Sequence, residues 1–580
     1  MDLRRLPTVN PWELKMEYEE QSFASSAAKQ LTIYALIALV AISILFYFLS
    51  LAAARVGGAV TAGAIDVEQN KITIALRQEP PQLDHTRATD SVSFTVLSHS
   101  MEGLLTYNDE NQLSPGVAER WEVREDGATF WLRDDSYWSD GSPVTAHDFE
   151  FAWKKVVDPQ IASVYAFIMY PIKNAEAINS GDLPPSTLGV TAVDDKTLEI
   201  SFEQPTPYFE KLVAFVTFLP AKQEFYESTN GRYGADADQL LYNGAYLVTE
   251  WIHSASMRWE KNQNYWNKEE VGFVDVIEVG YITEDVNAKL NMFKDGQIPE
   301  TQLVASMLGN AMEQRWQIDR FMEGNVFWVV TNFRDGRATQ NYNFRKALQL
   351  SIDPVEFVYK ALKEPGYLPG VSMFPSWISG VEGFFRDEYP PIEHTPDPEQ
   401  ARRHLEIAKQ ELGLEEIGPI VLLADDTPVG NLTAEYLQAV FAEELGLEVR
   451  IDKQIFKQRL LKAEAGEFDI LVNGWSPDYD DALTFGDYFS SWNLSNRGRY
   501  NNPELDKNVR IGQSSLDQRT RMEAFAEIQR ITYEDGVVFP LYERGWSFVV
   551  NPMLKGFKRR VIGPEVDFRF AYIDQNAADM

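Results

Sequence analysis

The stretch IGPIVLLADDTPVGNLTAEYLQAVFAEELGLEVRIDKQIFKQRLLKAEAGEFDILVNGW, residues 417–475, carries the clearest fold signal in the chain. Its apolar runs IGPIVLLADD, LEVRID and FDILVNGW predict three strands. The segments LTAEYLQAVFAEEL and IFKQRLLKAEA between them predict two amphipathic helices, which end at Gly446 and Gly466. A β-α-β-α-β succession almost always gives parallel strands joined by right-handed crossovers. The sequence therefore predicts a parallel α/β unit in this part of the chain.

An aromatic side chain and three carboxylates follow the last of these strands. In NGWSPDYDDALTF, residues 473–485, Trp475 closes the strand, and Asp478, Asp480 and Asp481 come just after it. Ligands of open α/β sheets bind beyond the carboxyl ends of the strands, which makes Asp478 a candidate ligand residue. Asp480 or Asp481 can instead cap a helix over ALTFGDYF.

Short strands separated by turns dominate the region upstream, residues 71–310. Strands are predicted over KITIAL (71–76), ATFWLR (128–133), KTLEISF (196–202) and DVIEVGYI (275–282). A helix is predicted over AHDFEFAWKK, residues 146–155, with Thr145 as its N-cap and Asp148 three residues further on. A chain of 580 residues, 44% of them hydrophobic, is expected to form more than one domain.

The charge, the absence of cysteine and the missing motifs exclude several classes of function. The chain has 87 acidic and 53 basic residues, and its net charge of −34 disfavours nucleic acid as a partner because phosphates would be repelled. Without cysteine it has no disulfides, thiolate nucleophiles, Cys-ligated zinc or thioether lipid anchor. The six histidines show no metal-binding spacing, and no Walker loop, G-x-S-x-G motif or Rossmann glycine pattern occurs. The sequence therefore predicts a binding protein with no enzymatic activity, no metal and no cofactor.

A long apolar segment near the N-terminus predicts a membrane anchor. LTIYALIALVAISILFYFLSLAAA, residues 31–54, has no charge in 24 residues. As a helix it would be roughly 36 Å long, enough to cross a bilayer core of about 30 Å. A cleaved signal peptide ending at Ala54 or Ala64 is the alternative, but the apolar run is longer than a signal core and follows a polar leader of 30 residues.

Basic residues predict that the N-terminus lies in the cytoplasm, because Arg4, Arg5, Lys15 and Lys29 precede the apolar segment and only Arg55 follows it closely. The body is then extracytoplasmic, on the periplasmic side of a bacterial inner membrane. The expected order is a cytoplasmic leader (1–30), a transmembrane helix (31–54), a flexible linker (55–70) and the body.

Several longer motifs occur in a fixed order along the body. They are EGLLTYNDENQLSPGVAERWEV, FWLRDDSYWSDGSPVTAHDFEFAWKKVVDP, LGVTAVDDKTLEISFEQPTPYF, NGAYLVTEW, NYWN, FRKALQLSID and FDILVNGWSPDYDD. With these motifs, residues 71–575 resemble the periplasmic oligopeptide- and dipeptide-binding proteins of ABC importers, family 5 of the extracytoplasmic solute-binding proteins.

The resemblance implies an α/β fold, a bilobed clamshell of the class II-like periplasmic-binding-protein type with an extra small domain. A cleft would separate the lobes, and two crossings between them would act as a hinge. In this arrangement lobe I comprises residues 71–101, 223–322 and 544–580, the extra domain II comprises residues 102–222, and lobe III comprises residues 323–543.

The resemblance also implies ligand-binding residues on both sides of the cleft. Asp478 would pair with the α-ammonium group of a peptide. Gly474-Trp475-Ser476 and, from the opposite lobe, Thr89-Asp90-Ser91 would bond to the peptide main chain by strand addition. Tyr165, Trp475 and Phe456 would form pocket walls, with core packing as the alternative for Phe456.

Other positions depart from the family pattern. Ala463 and Val472 stand where well-known oligopeptide binders have two arginines that can meet the peptide carboxylate, and Pro299 stands where an acid is usual. Arg544, in PLYERGW, could supply the missing positive charge or could be a surface residue beside the hinge. Peptide length and the identity of the ligand therefore stay open, although Asp478 favours an amine-bearing ligand.

Two functions are compatible with these features. The first is a membrane-anchored receptor that binds peptides, or a related amine-bearing solute, and delivers them to an ABC permease whose ATPase subunits hydrolyse ATP. The alternative is a non-transport accessory subunit of a membrane complex, built on the same clamshell and docked through its N-terminal leader.

Overall fold

The computed structural model describes residues 63–477 and 479–579, which fold into interleaved strands and helices. The strands are β1 Ile65–Asp66, β2 Lys71–Leu76, β3 Leu105–Tyr107, β4 Leu113–Pro115, β5 Ala118–Arg124, β6 Gly127–Leu132, β7 Val190–Asp194, β8 Thr197–Ser201, β9 Tyr246–Ile252, β10 Ser256–Lys261, β11 Val276–Ile282, β12 Glu300–Leu303, β13 Ile318–Thr331, β14 Leu368–Pro369, β15 Ile420–Asp425, β16 Val449–Gln454, β17 Ile470–Trp475, β18 Val538–Val550, β19 Leu554–Lys555, β20 Lys558–Arg559, β21 Val566–Asp567 and β22 Tyr572–Ile573. Three larger sheets result: sheet A in the order β1-β2-β11-β10-β9, sheet B in the order β5-β6-β8-β7, and sheet C in the order β12-β18-β13-β17-β15-β16, with β14 also paired to β18.

Helices cover the faces of these sheets. The α-helices are α1 Ser91–Ser100, α2 Ala146–Val157, α3 Ala175–Asn179, α4 Phe209–Leu212, α5 Gln223–Ser228, α6 Val286–Lys294, α7 Leu308–Glu313, α8 Tyr342–Ser351, α9 Pro354–Glu356, α10 Phe385–Glu388, α11 Pro398–Leu412, α12 Pro428–Leu445, α13 Phe456–Ala465, α14 Leu483–Gly486, α15 Pro503–Ser514 and α16 Gln518–Glu534.

The parallel unit predicted over residues 417–475 is confirmed. β15 runs parallel to β16 on one side and to β17 on the other. The helices between them, α12 and α13, end before Gly446 and Gly466 as predicted. The carboxyl ends of three parallel strands therefore meet at one edge of sheet C.

The strands and the helix predicted upstream are also confirmed. The strands are β2, β6, β8 and β11, with nearly the predicted bounds, and the helix is α2. Thr145 precedes α2, and its backbone N–H donates to Asp148 at 2.8 Å, which satisfies an otherwise unpaired donor at the helix start. Further along α2, the indole nitrogen of Trp153 donates to the carbonyl of Phe218 at 2.9 Å, and the two rings pack edge to face.

β13 and β18 hold the two halves of sheet C together. They are 14 and 13 residues long and pair antiparallel. In one half, Ile318–Met322 of β13 faces the part of β18 that also pairs with β12. In the other half, Val326–Thr331 pairs with β17 as well as with β18. The β13–β18 register shifts between Met322 and Val326, where the outer partner of the pair changes from β12 to β17, and again between Phe327 and Trp328.

Gly324 lies in the break between Met322 and Val326, and its backbone conformation requires glycine. Its φ of +89° is one that residues with a Cβ rarely adopt. A Cβ there would also lie 2.2 Å from Cγ1 of Val561 and 2.7 Å from Nε1 of Trp377. The indole N–H of Trp377 donates to the carbonyl of Gly324 at 3.2 Å. The break is therefore a tightly packed crossing of three chain segments.

Sheets A and B are built from different parts of the chain. Sheet A takes its strands from residues 65–76 and 246–282, and sheet B takes its strands from residues 118–201. The bounds of the lobes themselves stay predictions.

The predicted leader, membrane helix and first part of the linker lie outside the described residues. Within residues 63–477 and 479–579, no helix is both long and apolar enough to cross a bilayer. The prediction that residues 55–70 form a flexible linker needs a correction at its end. Ile65 and Asp66 pair with Ile72 and Lys71, so these two residues form an edge strand of sheet A. It departs from the prediction because the side chain of Asn70 donates to the carbonyl of Phe273, which fixes the turn into β2.

A cluster of His253 and two carboxylates joins three loops at the edge of sheet A. The Nδ1 and Nε2 atoms of His253 lie 2.6 Å from Glu79 and 3.0 Å from Asp236. The bonds to Asp236 and Glu79 raise the pKa of His253 above its usual 6.5. Burial raises the pKa of Glu79, but hydrogen bonds from His253, Trp251 and Ser254 outweigh it and hold that pKa below its usual 4.5.

This cluster should stabilise the protein most in mildly acid solution. The contribution of the imidazolium is complete below about pH 6.5 and is lost as the pH rises through the raised pKa of His253. That of Glu79 is complete above about pH 4.5 and is lost as the pH falls through its lowered pKa. We expect the melting temperature of a His253→Ala variant of the full chain to be lower by about 1 °C between these limits, because exposed ion pairs contribute little, and to match the parent near pH 9.

The matched control for this measurement is His147→Ala. His147 is a similarly exposed histidine, 3.6 Å from the single carboxylate of Asp195. If the melting temperatures of His253→Ala and the parent differ by the same amount from pH 5 to pH 9, the ion pairs of His253 do not stabilise the protein as proposed.

Candidate functional site

In the part of the chain that the structure describes, the carboxyl end of β17 has a strand partner on one side only. β17 pairs with β13 along its whole length, from Thr331 opposite Ile470 to Val326 opposite Trp475. On its other side it pairs with β15 only at Ile470 and Leu471. Among the described residues, the backbone that follows Leu471 therefore has no strand partner on the β15 side. An extended chain could pair there by strand addition.

Asn473 fixes this end of the strand through buried side-chain bonds. Its Oδ1 accepts from the guanidinium of Arg459 at 2.9 Å, and its Nδ2 donates to the hydroxyl of Tyr488 at 2.5 Å. Arg459 also donates from Nε to Asp425, at the end of β15, at 2.8 Å. The ends of two parallel strands and the start of α13 are thus cross-linked before the loop begins.

Gly474 is required by close packing. It lies opposite Phe327 in the β13 register, and a Cβ on it would lie 2.5 Å from the Phe327 ring. The Phe327 ring stacks on Tyr542 of β18 at 4.6 Å between centroids, so it has little room to move away. Packing against Phe327 thus explains the glycine without a ligand. The predicted close approach of a ligand backbone to Gly474 stays a prediction.

Trp475 and Ser476 follow, with different surroundings. The indole of Trp475 is half-buried, packs edge to face on Tyr488 at 5.0 Å, and lies with Nε1 3.4 Å from the hydroxyl of Thr484. Ser476 is exposed. Asp478 lies outside the described residues, so its predicted role stays a prediction.

A buried ion pair anchors the loop just after residue 478. The two Asp481 carboxylate oxygens accept from Arg521 at 2.6 and 3.0 Å, and both side chains are almost fully buried, at 1% and 2% exposure. Burial raises the pKa of Asp481, but the charges of Arg521 and Lys211 outweigh it and hold this pKa below its usual value. Asp481 also accepts from the backbone N–H of Leu483 at 3.0 Å, but the N-cap of α14 is Ala482, so Asp481 stands one residue before the capping position.

Asp480 binds elsewhere and links the loop to the segment between β8 and β9. It accepts from the hydroxyl of Ser379 at 2.9 Å and lies 3.8 Å from the ammonium group of Lys211. Next to it, Tyr479 stacks on Tyr208 at 5.4 Å with an interplanar angle of 11°. Tyr208 precedes α4 and Lys211 lies within it, so residues on both sides of the predicted cleft meet at this loop.

The predicted segment Thr89-Asp90-Ser91 lies at the start of α1. Thr89 is exposed, and the carboxylate of Asp90 caps the helix by accepting from the backbone N–H groups of Val92 and Ser93 at 3.1 and 2.8 Å. The hydroxyl of Ser91 accepts from Arg77, at the end of β2. In the described ranges, no hydrogen bond joins this segment to residues 474–476.

Tyr165 and Phe456 occupy different environments. The half-buried Tyr165 ring lies 5.9 Å from Phe94 of α1 and 5.3 Å from Phe215, which brings it close to the start of α1. Phe456 is 63% exposed at the start of α13, with Arg459 over its ring at 5.2 Å, so it is not a core residue. Its exposure beside the carboxyl end of β16 leaves the predicted ligand contact open.

Arg544 lies on β18 at the break in the β13–β18 pairing. Its guanidinium pairs with Glu323 and lies 5.2 Å from the centre of the Phe327 ring, which in turn packs on Gly474. Burial lowers the pKa of Arg544, but the Glu323 carboxylate outweighs it and raises this pKa above its usual value. The positive charge of Arg544 is thus already matched, and its contact with a ligand stays a prediction.

Sequence reasoning did not find the residues that hold this loop, namely Arg521, Lys211, Tyr208, Ser379 and Arg459. Each is a common residue type in an ordinary helix or loop, without a local motif. Arg521 follows its partner Asp481 by 40 positions, so no spacing rule signals the pair.

Comparisons with known proteins agree with this geometry. The family model of the bacterial extracellular solute-binding proteins, family 5, middle part, matches residues 112–496. The oligopeptide-binding protein OppA of Bacillus subtilis (strain 168) is 31% identical over 518 residues, which cover 86% of this chain and 92% of that protein.

Solved structures give the same result. OppA of Listeria monocytogenes bound to peptide has a TM-score of 0.68 and 27% identity, covering 87% of this chain and 99% of its own. The unliganded open form of the murein tripeptide-binding protein MppA has a TM-score of 0.75 and 26% identity, covering 88% of this chain and 99% of its own. The α/β clamshell fold is therefore confirmed, and the transmembrane helix stays a prediction.

Replacement of Arg521 by methionine should destabilise the protein strongly. It leaves Asp481 buried, with the ammonium group of Lys211 4.0 Å away as a weaker partner. Breaking a buried ion pair from one side costs about 3–5 kcal/mol of unfolding free energy. Urea unfolding of the full chain, followed by tryptophan fluorescence, measures the loss.

Two controls accompany this variant. Arg521→Lys keeps a cation beside Asp481 and should therefore lose less unfolding free energy than Arg521→Met. Arg530→Met removes an exposed arginine that pairs with Glu527 and Glu534 on the same helix, and it should change little. A loss below about 1 kcal/mol for Arg521→Met would show that Asp481 finds another partner.

Proposed function

Since this chain belongs to family 5 of the bacterial extracellular solute-binding proteins, we propose that it binds peptides, or related amine-bearing solutes, in the cleft between its lobes. Proteins of this family bind solutes and are not enzymes, so the chain is a binding protein. The proposed receptor passes its ligand to an ABC permease with ATPase subunits. It is held at the membrane by residues 31–54, with its body outside the cytoplasm.

The carboxyl end of β17, which has a strand partner on one side only among the described residues, is the observation that carries this proposal. A peptide laid beside Asn473–Trp475, on the side away from β13, would meet backbone that pairs with no strand of the described chain on that side. Main-chain bonding of this kind is independent of side-chain identity, which suits a receptor for many peptides. The names of two relatives support the ligand class, since one is an oligopeptide-binding protein and another was solved with a bound peptide.

The loop beyond β17 supports the predicted ammonium site at Asp478. Asp480 and Asp481 already have cations nearby, Lys211 and Arg521. The loop is fastened on both sides of residue 478, at Trp475 and at Asp481. A carboxylate held at that position would form a charge-assisted hydrogen bond with a peptide ammonium group, and such a bond contributes about 1.5–3 kcal/mol.

Exposed apolar side chains at the same edge suit peptide side chains. Ile455 and Phe456, which follow β16, are 65% and 63% exposed. Contact with a ligand would remove part of this apolar surface from water. The edge thus combines main-chain donors and acceptors with apolar surface, as a peptide site requires.

Asp478→Asn should reduce the affinity for peptides with a free amino terminus by about 10- to 100-fold, because the ammonium group loses its charged partner. Isothermal titration calorimetry of the full chain with tri-, tetra- and pentaalanine measures this effect. N-acetylated forms of the same peptides should bind parent and variant with similar, lower affinity.

The matched control is Asp426→Asn, which removes an exposed carboxylate that follows the neighbouring strand β15. It should leave peptide affinity unchanged. A parent protein that binds none of these peptides would reject the peptide receptor, and it would favour the accessory-subunit alternative if the chain co-purifies with a membrane complex through its N-terminus. Equal affinity of parent and Asp478→Asn would reject the ammonium site alone.

A further inference from the structure

A recess opens on the side of sheet A where β2 ends. It has a cavity volume of about 80 Å³ and lies between the carboxyl end of β2, the first turns of α1 and strand β12. Its apolar lining includes Leu76, Val92, Phe548 and Phe568. β2 and β11 are parallel, so this recess lies at the kind of edge where open α/β sheets bind ligands.

Three cations and two carboxylates line the recess. Arg559 pairs with Glu300 and covers the Phe548 ring, so these two charges match each other. Arg77 donates to the hydroxyl of Ser91 and lies 3.8 Å from Glu565. The excess of positive charge is unusual in a chain with a net charge of −34.

Lys289 is the cation of this group with no partner. It projects from α6 and is half-buried, and within residues 63–477 and 479–579 its ammonium group makes no hydrogen bond or ion pair. A half-buried ammonium group is stabilised by an anion, and the recess beside it has room for one.

The N-terminus of α1 does not account for this site. Asp90 already accepts from the first N–H groups of the helix, so its backbone donors are occupied. The affinity for an anion would come from the side chains of Arg77 and Lys289.

Three arginines on the opposite side of the predicted cleft are already paired. Arg459 binds Asp425 and Asn473, Arg521 binds Asp481, and Arg544 binds Glu323. A ligand carboxylate would find no unmatched charge among these residues.

We propose that the recess at the end of β2 binds an anionic group of the ligand, with Arg77 and Lys289 as the residues that select it. The proposal rests on the proposed peptide function and deepens it, because it assigns the negative end of the ligand to sheet A. Arg77 is bonded to Ser91, so the anion site adjoins the predicted main-chain contact at residues 89–91. The anion is the terminal carboxylate of a peptide or an acidic side chain.

The test compares peptides with and without a carboxylate. Trialanine and its C-terminal amide are titrated into the full chain, its Arg77→Met variant and its Lys289→Met variant. The parent should bind the free acid at least about tenfold more tightly than the amide, and each variant should lose most of that preference. Alanyl-glutamyl-alanine amide separates the two sources, since it regains the lost affinity only if the recess accepts a side-chain carboxylate.

Arg87→Met is the matched control. Arg77 and Arg87 have similarly exposed side chains, 46% and 44%, and each lies 3.8 Å from one carboxylate, but Arg87 does not line the recess. The Arg87→Met variant should prefer the free acid over the amide as strongly as the parent does. Melting temperatures of all variants confirm that they are folded.

The possible failures are distinguishable. If the parent binds peptides but neither kind of carboxylate improves the affinity, the anion site is wrong and the peptide function stands. If the preference survives in both Arg77→Met and Lys289→Met, the carboxylate binds elsewhere and the assignment is overturned. If the parent binds no peptide in any form, the proposed function fails and this inference fails with it.

Discussion

The pairing of β13 with β18 is the constraint on which the rest of sheet C depends. These two strands carry β12 at one end and β17, with the parallel unit, at the other. Their register breaks at Gly324, where a positive φ and close contacts with Val561 and Trp377 allow no side chain. The two crossings that the family resemblance implies as a hinge coincide with this break. Glu323 and Arg544 pair at the same place, so a charged contact is built into the crossing.

The protein is strongly acidic, and the described part of the chain uses many of its cations as buried structural partners. Arg521 holds the loop after β17, and Arg459 ties the ends of β15 and β17 together. In the C-terminal segment, Arg560 and Arg569 both bind the buried Asp567, at 2.7 and 2.8 Å. Burial raises the pKa of Asp567, but the two guanidinium charges outweigh it and hold this pKa far below its usual value.

These buried arginines also connect distant parts of the chain. Arg560 donates to the carbonyl of Asn108, and Arg569 donates to the hydroxyl of Thr106, so the last strands are fixed against β3. Cations committed in this way cannot serve a ligand without leaving a buried carboxylate unpaired, which is costly. Among the described residues that line the recess at the end of β2, the cations with a weak partner or none are Arg77 and Lys289.

The sequence by itself determined the local elements and the fold class. Period-two and helical apolar patterns, together with the glycines at 446 and 466, were enough for the β-α-β-α-β unit, because alternation and helix ends depend on neighbouring residues. The ordered motifs were enough for the clamshell. The capping box Thr145–Asp148 was also predictable, since it acts over three positions.

Only the tertiary structure decided which charges meet and which surfaces remain open. Asp481 and Arg521 are 40 positions apart, and Glu323 and Arg544 are 221 apart, so no local pattern relates them. An apolar residue such as Phe456 has the same pattern in a core helix and in an exposed one, and only the fold placed it in solvent. The recess between β2, α1 and β12 likewise exists only after three remote segments pack together. Its shape and charge depend on which segments meet in the fold, and sequence spacing does not show this.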